Sequence, residues 1–564
     1  MFEREILKLL KTAGVHATED VLETSPKDEF GDLSFPCFNL AKERKMNPAE
    51  IAKDIASKIK IPGNYNIEKV EVVGAYVNFF YNYSKLSKLV LTDVLKKKAE
   101  FGKSGNRKGK ILVEFAHPNT HKLFHIGHLR NITTGESLSR IMEFNGFDVI
   151  RANYQGDVGL HIAKCLWGIK KTGIKKFASL GEKITFLGKA YATGSKAFEE
   201  DATAKNEIVE LNKQIYKGDR TVLKLWKETR KWSLDYFDGI YKRVNTRFDR
   251  LYFESEVAAK GLAIAKKALK KGILTKSEGA IIFDGEKHGL DKRVFINQIG
   301  FPTYEAKELG LAELEFSEFG NIRKAIHVVG PEQSSFFKVM FKVEELLNPK
   351  KFKGKQQHLA YGWVRLKEGK MSSRLGNVVE GEHLLNELKR IVLENYLNKQ
   401  DYPSGKKMRI AEKIAVGAAK YFFLRFDIPS EISFDLSQAA SIEGNTGPYI
   451  QYAYTRCASI VRKAGKWKPN HGNDEMELEE KRIVKLLSGF PRIASQAADD
   501  MKPNYICNYV YELATALNNF YEKHRVIDVK NINLRNFRLT LIKSAQTVLG
   551  NCLELLGIET VERM

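Results

Sequence analysis

The stretch that most limits the possible folds runs from residue 110 to residue 154, where two short apolar runs enclose a helical pattern. The first run, KILVEFA (110–116), is bounded by turn residues, and the second, DVIRANY (148–154), follows at the spacing of a βαβ crossover. Helical periodicity lies between them, through Leu129, Ile132, Leu138 and Ile141. A strand, a loop, a helix and another strand open a parallel α/β unit, so this stretch predicts a doubly wound sheet.

The flanking segments predict a multidomain α/β chain. Residues 1–95, with a strand pattern at 69–81, indicate a small α+β domain. Residues 108–405 are assigned to the parallel-sheet domain, which a Lys-rich helical insertion interrupts around 165–275. From residue 408 to residue 564 a periodicity of about 3.6 dominates without a convincing strand, and it predicts an all-α helical bundle. Further strands are predicted at 280–283, 293–296 and 325–329.

Composition narrows the class of protein. The 92 Lys and Arg residues exceed the 69 Asp and Glu residues, and the resulting formal net charge of +23 favours an anionic partner. The five cysteines are scattered and never form a C-x-x-C pair, so they indicate neither a disulfide framework nor a cysteine zinc site. No apolar run approaches the roughly 18 residues that a membrane span needs. We therefore expect a cytoplasmic protein without a membrane partner.

The tetrapeptide HIGH (125–128) lies where the first strand and its loop lead into the helix. The beginning of a helix offers unpaired N–H groups and the positive end of the helix dipole. Gly127 lets a ligand approach the backbone closely, and the imidazoles of His125 and His128 can both donate hydrogen bonds to phosphate oxygens. The tetrapeptide therefore predicts a nucleoside-triphosphate site.

Four histidines fall within twelve residues, at positions 117, 121, 125 and 128. Their spacing leaves two alternatives to a phosphate site: a metal site and purely structural histidines. Pro118 and Asn119 argue against the helix on which the first three would stack as metal ligands.

A second motif, KMSSR, occupies residues 370–374 between two glycines. Two cations and two hydroxyls on a glycine-hinged loop can close over a polyphosphate and stabilise the charge of a departing pyrophosphate. Considered alone, a short basic loop is more often a solvated turn.

Together, HIGH at a strand–helix junction and KMSSR after a parallel-sheet domain resemble the class I aminoacyl-tRNA synthetases. Within that class, the chain resembles the arginyl-tRNA synthetase family over essentially its whole length. Stretches that carry this resemblance include PTYEAKELG (302–310), HVVGPEQSSFFK (327–338) and EGNTGPYIQYAYTRCASIVRKAG (443–465). The resemblance implies a Rossmann-like catalytic domain that joins arginine to AMP and then to the terminal adenosine of tRNA. It also implies an N-terminal additional domain that contacts tRNA and a C-terminal domain that reads the anticodon.

The resemblance implies that five residues of this chain, at positions that match the motifs of the family, bind arginine. The resemblance implies Glu114, Tyr304 and Glu308 for the guanidinium group and Asn119 and Gln333 for the α-amino group. A guanidinium fork independently favours carboxylates in its pocket, whereas lysine, a point charge, fits such a pocket poorly. The sequence departs from many relatives in having Glu rather than Asp at position 308 and Val rather than Trp at position 158, a position for which no role is assigned.

The resemblance also implies a phosphate site and its substrate, ATP, with Mg²⁺ accompanying it. His125, His128, Lys122 and Lys370 are expected to contact the phosphates. The residues expected to bind ATP are Gly127, His128, Lys370, Met371, Ser372 and Ser373. No general base is required for activation, because the substrate carboxylate is already an anion that can attack the α-phosphorus.

In the C-terminal domain the resemblance implies that Tyr521 and the terminal Met564 line an anticodon pocket, next to Arg525, where some relatives carry Trp. Stacking of an unpaired base on an aromatic ring beside basic groups is typical of single-stranded RNA recognition. We expect a monomer.

Two alternatives remain open at this point. One is another HIGH-type nucleotidyltransferase that makes a small-molecule adenylate; the charge of +23 and the helical C-terminal domain count against it. The other is a non-catalytic tRNA-binding paralogue, which intact HIGH and KMSSR motifs disfavour. A P-loop NTPase is disfavoured because no G-x-x-x-x-G-K-[ST] motif occurs.

Overall fold

The computed structural model describes residues 2–18, 21–25, 28–367 and 379–564. Contacts group the chain into two compact units. One boundary lies between Phe101 and Gly102, and the others fall within the C-terminal helices. The first unit comprises Met1–Phe101, Arg456–Phe490 and Leu513–Val548. The second comprises Gly102–Thr455, Pro491–Glu512 and Leu549–Met564. No helix in the described part of the chain is long and apolar enough to cross a membrane.

The N-terminal part of the first unit is an antiparallel sheet with helices. Its strands are β1 (Glu23–Thr24), β2 (Leu33–Pro36), β3 (Ile67–Val73) and β4 (Tyr76–Tyr81), in the order β1-β2-β4-β3. Its helices are α1 (Phe2–Thr12), α2 (Phe38–Arg44), α3 (Pro48–Lys58) and α4 (Tyr83–Lys97). The prediction of one strand over 69–81 is wrong, because Gly74, with φ of +58°, reverses the chain and splits the segment into a hairpin.

Among its described residues, the second unit contains ten strands: β5 (Lys110–Glu114), β6 (Asp148–Gln155), β7 (Arg250–Phe253), β8 (Thr275–Ser277), β9 (Ala280–Phe283), β10 (Arg293–Ile296), β11 (Ile322–Val329), β12 (Gln356–Ala360), β13 (Val364–Leu366) and β14 (Ile432–Phe434). Five of them form a parallel sheet in the order β12-β11-β5-β6-β7. The predicted doubly wound sheet is thereby confirmed. Because the chain leaves β5 first toward β6 and later toward β11, the switch point of the sheet lies beside β5, where open α/β sheets bind ligands.

The part of residues 102–446 that the structure describes contains twelve α-helices: α5 (Ile126–Phe144), α6 (Leu160–Thr172), α7 (Leu180–Glu200), α8 (Ala202–Lys217), α9 (Arg220–Arg243), α10 (Glu254–Lys270), α11 (Tyr304–Glu318), α12 (Ser334–Leu347), α13 (Pro349–Phe352), α14 (Gly381–Val392), α15 (Ser404–Leu424) and α16 (Leu436–Ala439). The range predicted as a helical insertion, 165–275, therefore holds most of α6, all of α7–α9 and α10, and also β7. A strand of four residues carries too few positions to stand out against the helical pattern around it.

Four long helices complete the chain: α17 (Gly447–Lys463), α18 (Leu478–Asp499), α19 (Asn504–Lys523) and α20 (Ile532–Leu555). The all-helical expectation after residue 408 fails at one place, β14, which pairs in parallel with β13. A strand of three residues is created by its partner and not by local propensity, so the sequence pattern cannot reveal it.

Two glycines allow α6 and α7 to pack closely. A Cβ atom on Gly168 would lie 2.1 Å from the Ala190 carbonyl oxygen, and one on Gly194 would lie 1.9 Å from the Lys164 carbonyl oxygen. Both obstacles are backbone atoms, which cannot move aside without shifting a helix.

We expect Gly168→Ala to destabilise the protein, because overpacking of this kind costs about 1–3 kcal/mol. Scanning calorimetry or fluorimetry should show a melting temperature lower by about 2–10 °C. The matched control is Gly239→Ala in α9, where a Cβ atom meets nothing within 4 Å, and alanine there is expected to stabilise the helix slightly. Equal melting temperatures for the two variants would contradict the close packing of α6 against α7.

Candidate active site

A cavity of about 1110 Å³ opens at the carboxyl ends of the parallel strands. Its wall is formed by the end of β6 and by the segments that follow β5, β6, β11 and β12; the lining residues include Asn119, Tyr154, Gln333 and Trp363. This is the position that the strand order predicts for a ligand site.

The HIGH segment forms the beginning of α5 at this cavity. His125 is the N-cap residue: its Nδ1 accepts a hydrogen bond from the Gly127 N–H at 3.1 Å. The Nδ1 atom of His128 accepts a hydrogen bond from the His125 N–H, also at 3.1 Å, so the two residues form a reciprocal capping pair. The two rings stack with their centres 3.8 Å apart. The histidines thus cap the helix that they begin, and both line the cavity.

The capping bonds fix the protons on both imidazoles. A nitrogen that accepts a backbone N–H carries no proton itself, so in each neutral ring the hydrogen sits on Nε2. Burial, and then the charge of Lys122, lower the pKa of His125. Burial, and then the charge of His125, lower the pKa of His128 well below its ordinary value. Near neutral pH the site therefore presents neutral Nε2–H donors beside the helix N-terminus.

The loop before the helix is strained. Ala116, His117 and His121 have φ of +83°, +50° and +64°, in the left-handed region that side chains disfavour. His121 has a structural role: it is buried, and its ring nitrogens contact the hydroxyls of Thr120 at 3.0 Å and Thr229 at 2.7 Å. In the described part of the chain no group of three His, Cys, Asp or Glu side chains is placed to hold a metal ion.

Glu114 ends β5 and is buried beside two histidines. Its Oε1 lies 3.4 Å from Nδ1 of His327 and 3.7 Å from Nδ1 of His117. Burial alone would raise the pKa of Glu114, but the hydrogen bond and charge of His327, followed by the charge of His117, lower it to about 2. Glu114 is therefore an ionised carboxylate, and its neighbour His117 lines the cavity.

Tyr304 and Glu308 project from the first turns of α11. The Tyr304 ring lines the cavity with 41% of its surface exposed, and it stacks on Tyr154 at 6.3 Å between ring centres. Glu308 is buried, and burial together with the nearby charge of Glu114 raises its pKa to about 8. A cationic ligand group would relieve the repulsion between these two carboxyl groups.

Asn119 and Gln333 line the same cavity from opposite segments. Asn119 presses against Gly156, where a Cβ atom would lie 2.0 Å from the amide Oδ1. Gln333 ends the 3₁₀ turn Pro331–Gln333 that follows β11. Of the five residues predicted to bind arginine, Asn119, Tyr304 and Gln333 line the cavity. Glu114 and Glu308 are buried and do not line it, but Glu114 lies 3.7 Å from His117, which does.

Lys370, Met371, Ser372 and Ser373 lie outside the described residues, which resume at Val379. The residues on both sides of the gap can be placed. Leu366 and Val379 line the cavity, and the Val379 carbonyl accepts a hydrogen bond from the Ile126 N–H at 2.9 Å. The other predicted cation, Lys122, has its Nζ 5.4 Å from the centre of the Tyr191 ring.

Several residues at the site escaped the sequence analysis. Tyr154 is buried at the cavity wall, and its hydroxyl has no hydrogen-bond partner among the described residues. Glu254, the first residue of α10, is paired with Lys307 at 2.6 Å. Lys307 stands between Tyr304 and Glu308 in PTYEAKELG, and His327 opens HVVGPEQ, so both lay in motifs already singled out.

Arg130 is a further residue that the sequence analysis missed. Its buried guanidinium donates to the carbonyls of Trp363 at 3.2 Å, Ile428 at 2.9 Å and Ser430 at 2.8 Å. It thereby holds the loop after β12 against the cavity. Its position two residues after HIGH is the only signal that the sequence offered.

The two residues predicted to bind tRNA, Tyr521 and Met564, belong to different units of the chain. In the first unit, the Tyr521 hydroxyl lies 3.1 Å from the Cys457 sulfur, and the Arg456 guanidinium covers the ring at 4.4 Å from its centre. In the second unit, Met564 packs against the hydrophobic core.

Three family models match the chain. They describe the tRNA synthetases class I (R) catalytic domain over residues 90–435, the DALR anticodon binding domain over residues 450–564, and the arginyl tRNA synthetase N terminal domain over residues 2–81.

Known proteins resemble the chain over nearly its full length. The arginine–tRNA ligase of Clostridium acetobutylicum is 33% identical over 552 residues, which cover 98% of this chain and 97% of the relative. The arginine–tRNA ligase of Treponema denticola is 35% identical over 562 residues, covering 96% and 94%. Among solved structures, Thermus thermophilus arginyl-tRNA synthetase superimposes with a TM-score of 0.81 at 27% identity, covering 100% of this chain and 99% of that one.

Proposed function

The chain belongs to the arginyl-tRNA synthetase family, and from this premise we propose that its cavity activates L-arginine with ATP and transfers the arginyl group to the 3′-terminal adenosine of tRNA. One observation carries the proposal: an ionised strand-end carboxylate, Glu114, lies 3.7 Å from His117, which lines the same cavity as the neutral N–H donors of His125 and His128. A cation pocket joined to a phosphate site suits a reaction between arginine and ATP.

In the arginine subsite, the carboxyl groups of Glu114 and Glu308 and the hydroxyl of Tyr304 hold the guanidinium group. Two carboxyl groups, one ionised and one with its pKa raised to about 8, favour a delocalised cation that can satisfy both. Asn119 and Gln333 hold the α-amino group. Their places on the cavity wall support this assignment.

In the ATP subsite, the Nε2–H groups of His125 and His128 donate to phosphate oxygens, and Gly127 admits the nucleotide to the backbone. Any Cβ atom at Gly127 would lie 3.0 Å from the His125 ring, which supports the need for glycine there. Lys122 and Lys370 supply positive charge, and Met371, Ser372 and Ser373 complete the subsite. Leu366 and Val379, on either side of that segment, line the cavity and support this part of the proposal.

Mg²⁺ is proposed to arrive with ATP. The described residues offer no acidic cluster that fits a protein-held metal ion. Mg²⁺ is commonly bound through substrate phosphates, which the ATP itself supplies.

The chemistry needs positioning and charge stabilisation. A carboxylate oxygen of arginine attacks the α-phosphorus of ATP; the new O–P bond forms as the bond to the β-phosphate oxygen breaks, and pyrophosphate leaves with the electron pair. The donors at the helix N-terminus stabilise the charge on the phosphates as it develops. In the second step a ribose hydroxyl of the terminal adenosine attacks the arginyl carbonyl carbon. The new ester bond forms as the bond from that carbon to the phosphate oxygen breaks, AMP leaves with the electron pair, and the hydroxyl proton passes to the departing phosphate.

The partner is tRNA, which the net charge of +23 supports through attraction to phosphates. Residues 1–95 are proposed as a tRNA-contacting domain, 108–405 as the catalytic domain and 408–564 as the anticodon-binding domain. The family models support this order of domains, with ranges of 2–81, 90–435 and 450–564. Tyr521 and Met564 are proposed to contact the anticodon. We further propose a monomer in the cytoplasm.

The test is aminoacylation of total tRNA with each of the twenty amino acids, ATP and Mg²⁺. We expect arginine alone to be charged, because the pocket is built for a guanidinium group. Charging of a different amino acid would overturn the substrate assignment. Binding of tRNA without charging of any amino acid would instead support the non-catalytic paralogue.

A further inference from the structure

We propose that His327 is a positioning residue for this reaction: it keeps the Glu114 carboxylate ionised and oriented toward the substrate guanidinium. The proposal rests on the proposed function, which assigns Glu114 to that group. His327 is a buried side chain of β11, and the sequence alone indicated no role for it.

A chain of polar side chains crosses the three neighbouring strands β5, β11 and β12. His327 pairs in register with Glu114 of β5 on one side and with His358 of β12 on the other. Its Nδ1 lies 3.4 Å from Glu114 Oε1, and its Nε2 lies 2.7 Å from Gln356 Oε1. The Gln356 amide nitrogen donates in turn to the carboxyl group of Glu344.

The direction of these hydrogen bonds fixes the protons on His327. The Gln356 amide nitrogen donates to Glu344, so the atom of Gln356 that faces His327 is the amide oxygen, which can only accept a hydrogen bond. Nε2 of His327 therefore carries a hydrogen. A second hydrogen must lie between Nδ1 and the Glu114 carboxylate, since two lone pairs would otherwise face each other. An imidazolium donating to a carboxylate satisfies both contacts.

The surroundings make this cation necessary. Carboxyl groups face His327 from α11 and α12, and histidines face it from β12 and the loop after β5: Glu308, Glu315, Glu344, His358 and His117. Without a positive charge among so many buried carboxyl groups, Glu114 would take up a proton. Burial alone would lower the pKa of His327, but the charge of Glu114 and the hydrogen bond to it raise the pKa to about 9, in keeping with this arrangement.

Apolar packing holds the ring in place. The Phe337 and Phe341 rings lie 5.2 and 5.6 Å from the centre of the imidazole. Both oxygens of Glu315 are buried without a donor among the described residues, as is Glu114 Oε2. Burial and the charge of Glu114 raise the pKa of Glu315 well above its ordinary value, so a proton on Glu315 can bridge to Glu114. His327 is therefore the cation on β11 that contacts the Glu114 carboxylate.

The test compares the KM for arginine of wild type and His327→Gln, with His358→Gln as the matched control on the adjacent strand. We expect His327→Gln to raise the KM for arginine about ten- to hundredfold near pH 7, the effect of losing a charge-assisted contact. The KM for ATP should stay near the wild-type value. His358→Gln should leave both KM values unchanged, because His358 contacts the Val329 carbonyl and not Glu114.

The pH profile separates a charge effect from a general disturbance of the sheet. In His327→Gln the pKa of Glu114 is expected to rise, so the carboxyl group is neutral at low pH and ionised at high pH. The ratio of the variant KM to the wild-type KM should therefore fall as the pH rises from about 6.5 to about 9.5, where wild-type His327 also loses its proton. A ratio that is constant across this range would overturn the proposal.

A measurement on the wild-type protein covers the case in which His327→Gln does not fold. Ring ¹⁵N spectra of histidine-labelled enzyme at about pH 8 should contain an imidazolium signal that disappears in Glu114→Gln. Its absence from the wild-type spectrum would contradict the proposal. Failure of wild-type enzyme to charge arginine would instead contradict the proposed function, so the two failures can be told apart.

Discussion

Glu114→Gln is expected to lower kcat/KM for arginine in aminoacylation by about 10²–10³-fold. The substitution keeps the shape of the side chain and removes its charge, and truncating one partner of a buried charge pair costs about 2–5 kcal/mol. The loss should fall mainly on the KM for arginine, because Glu114 is proposed to bind the guanidinium group.

Initial rates of tRNA charging at varied arginine and varied ATP provide the measurement. Glu199→Gln, an exposed position on α7, is the matched control and should charge tRNA at the wild-type rate. The melting temperature of each variant shows whether it is folded. Wild-type kinetics in a folded Glu114→Gln variant would place the guanidinium pocket elsewhere.

His125→Asn is expected to lower kcat for adenylate formation by about 10²–10³-fold, the range found when one donor to a developing oxyanion is removed. Asparagine is a good N-cap residue, so α5 keeps its first turn while the Nε2–H donor to phosphate is lost. Stability should therefore remain close to wild type.

Pyrophosphate exchange in the presence of tRNA, followed by single-turnover transfer from preformed adenylate, separates the two chemical steps. We expect the first step to slow far more than the second, because the histidine contacts the phosphates that leave in the first. His383→Asn, which alters an exposed histidine of α14, should react like wild type. Equal losses in both steps would contradict a role at the leaving phosphates.

The long, locally encoded elements were predictable. KILVEFA and DVIRANY became β5 and most of β6, and 280–283 and 293–296 became β9 and β10. Short elements were not, because β7 and β14 exist only through pairing with a neighbour. At Gly74 the prediction failed in another way. One strand was predicted over 69–81, but the positive φ of Gly74 turns the chain there and divides the run into β3 and β4.

The site shows the same division. The histidines of HIGH could be assigned from sequence because three-residue spacing on a helix start fixes where both rings lie. The link between Glu114 and His327 could not, because 213 residues separate them and only adjacent parallel strands bring them together. Likewise, the sequence marked Lys307 only as a residue between two assigned positions, whereas its contact with Glu254 is a tertiary pair.

The sequence by itself determined the sheet, the helix that begins with HIGH, the excess positive charge and the family resemblance, since each depends on local pattern or on composition. The tertiary structure alone decided which buried carboxyl groups are ionised, which imidazoles are neutral and which backbone loops Arg130 holds. The physical reason is that protonation and burial depend on the sum of nearby charges and on exclusion of water, and both are set by residues far apart in the chain.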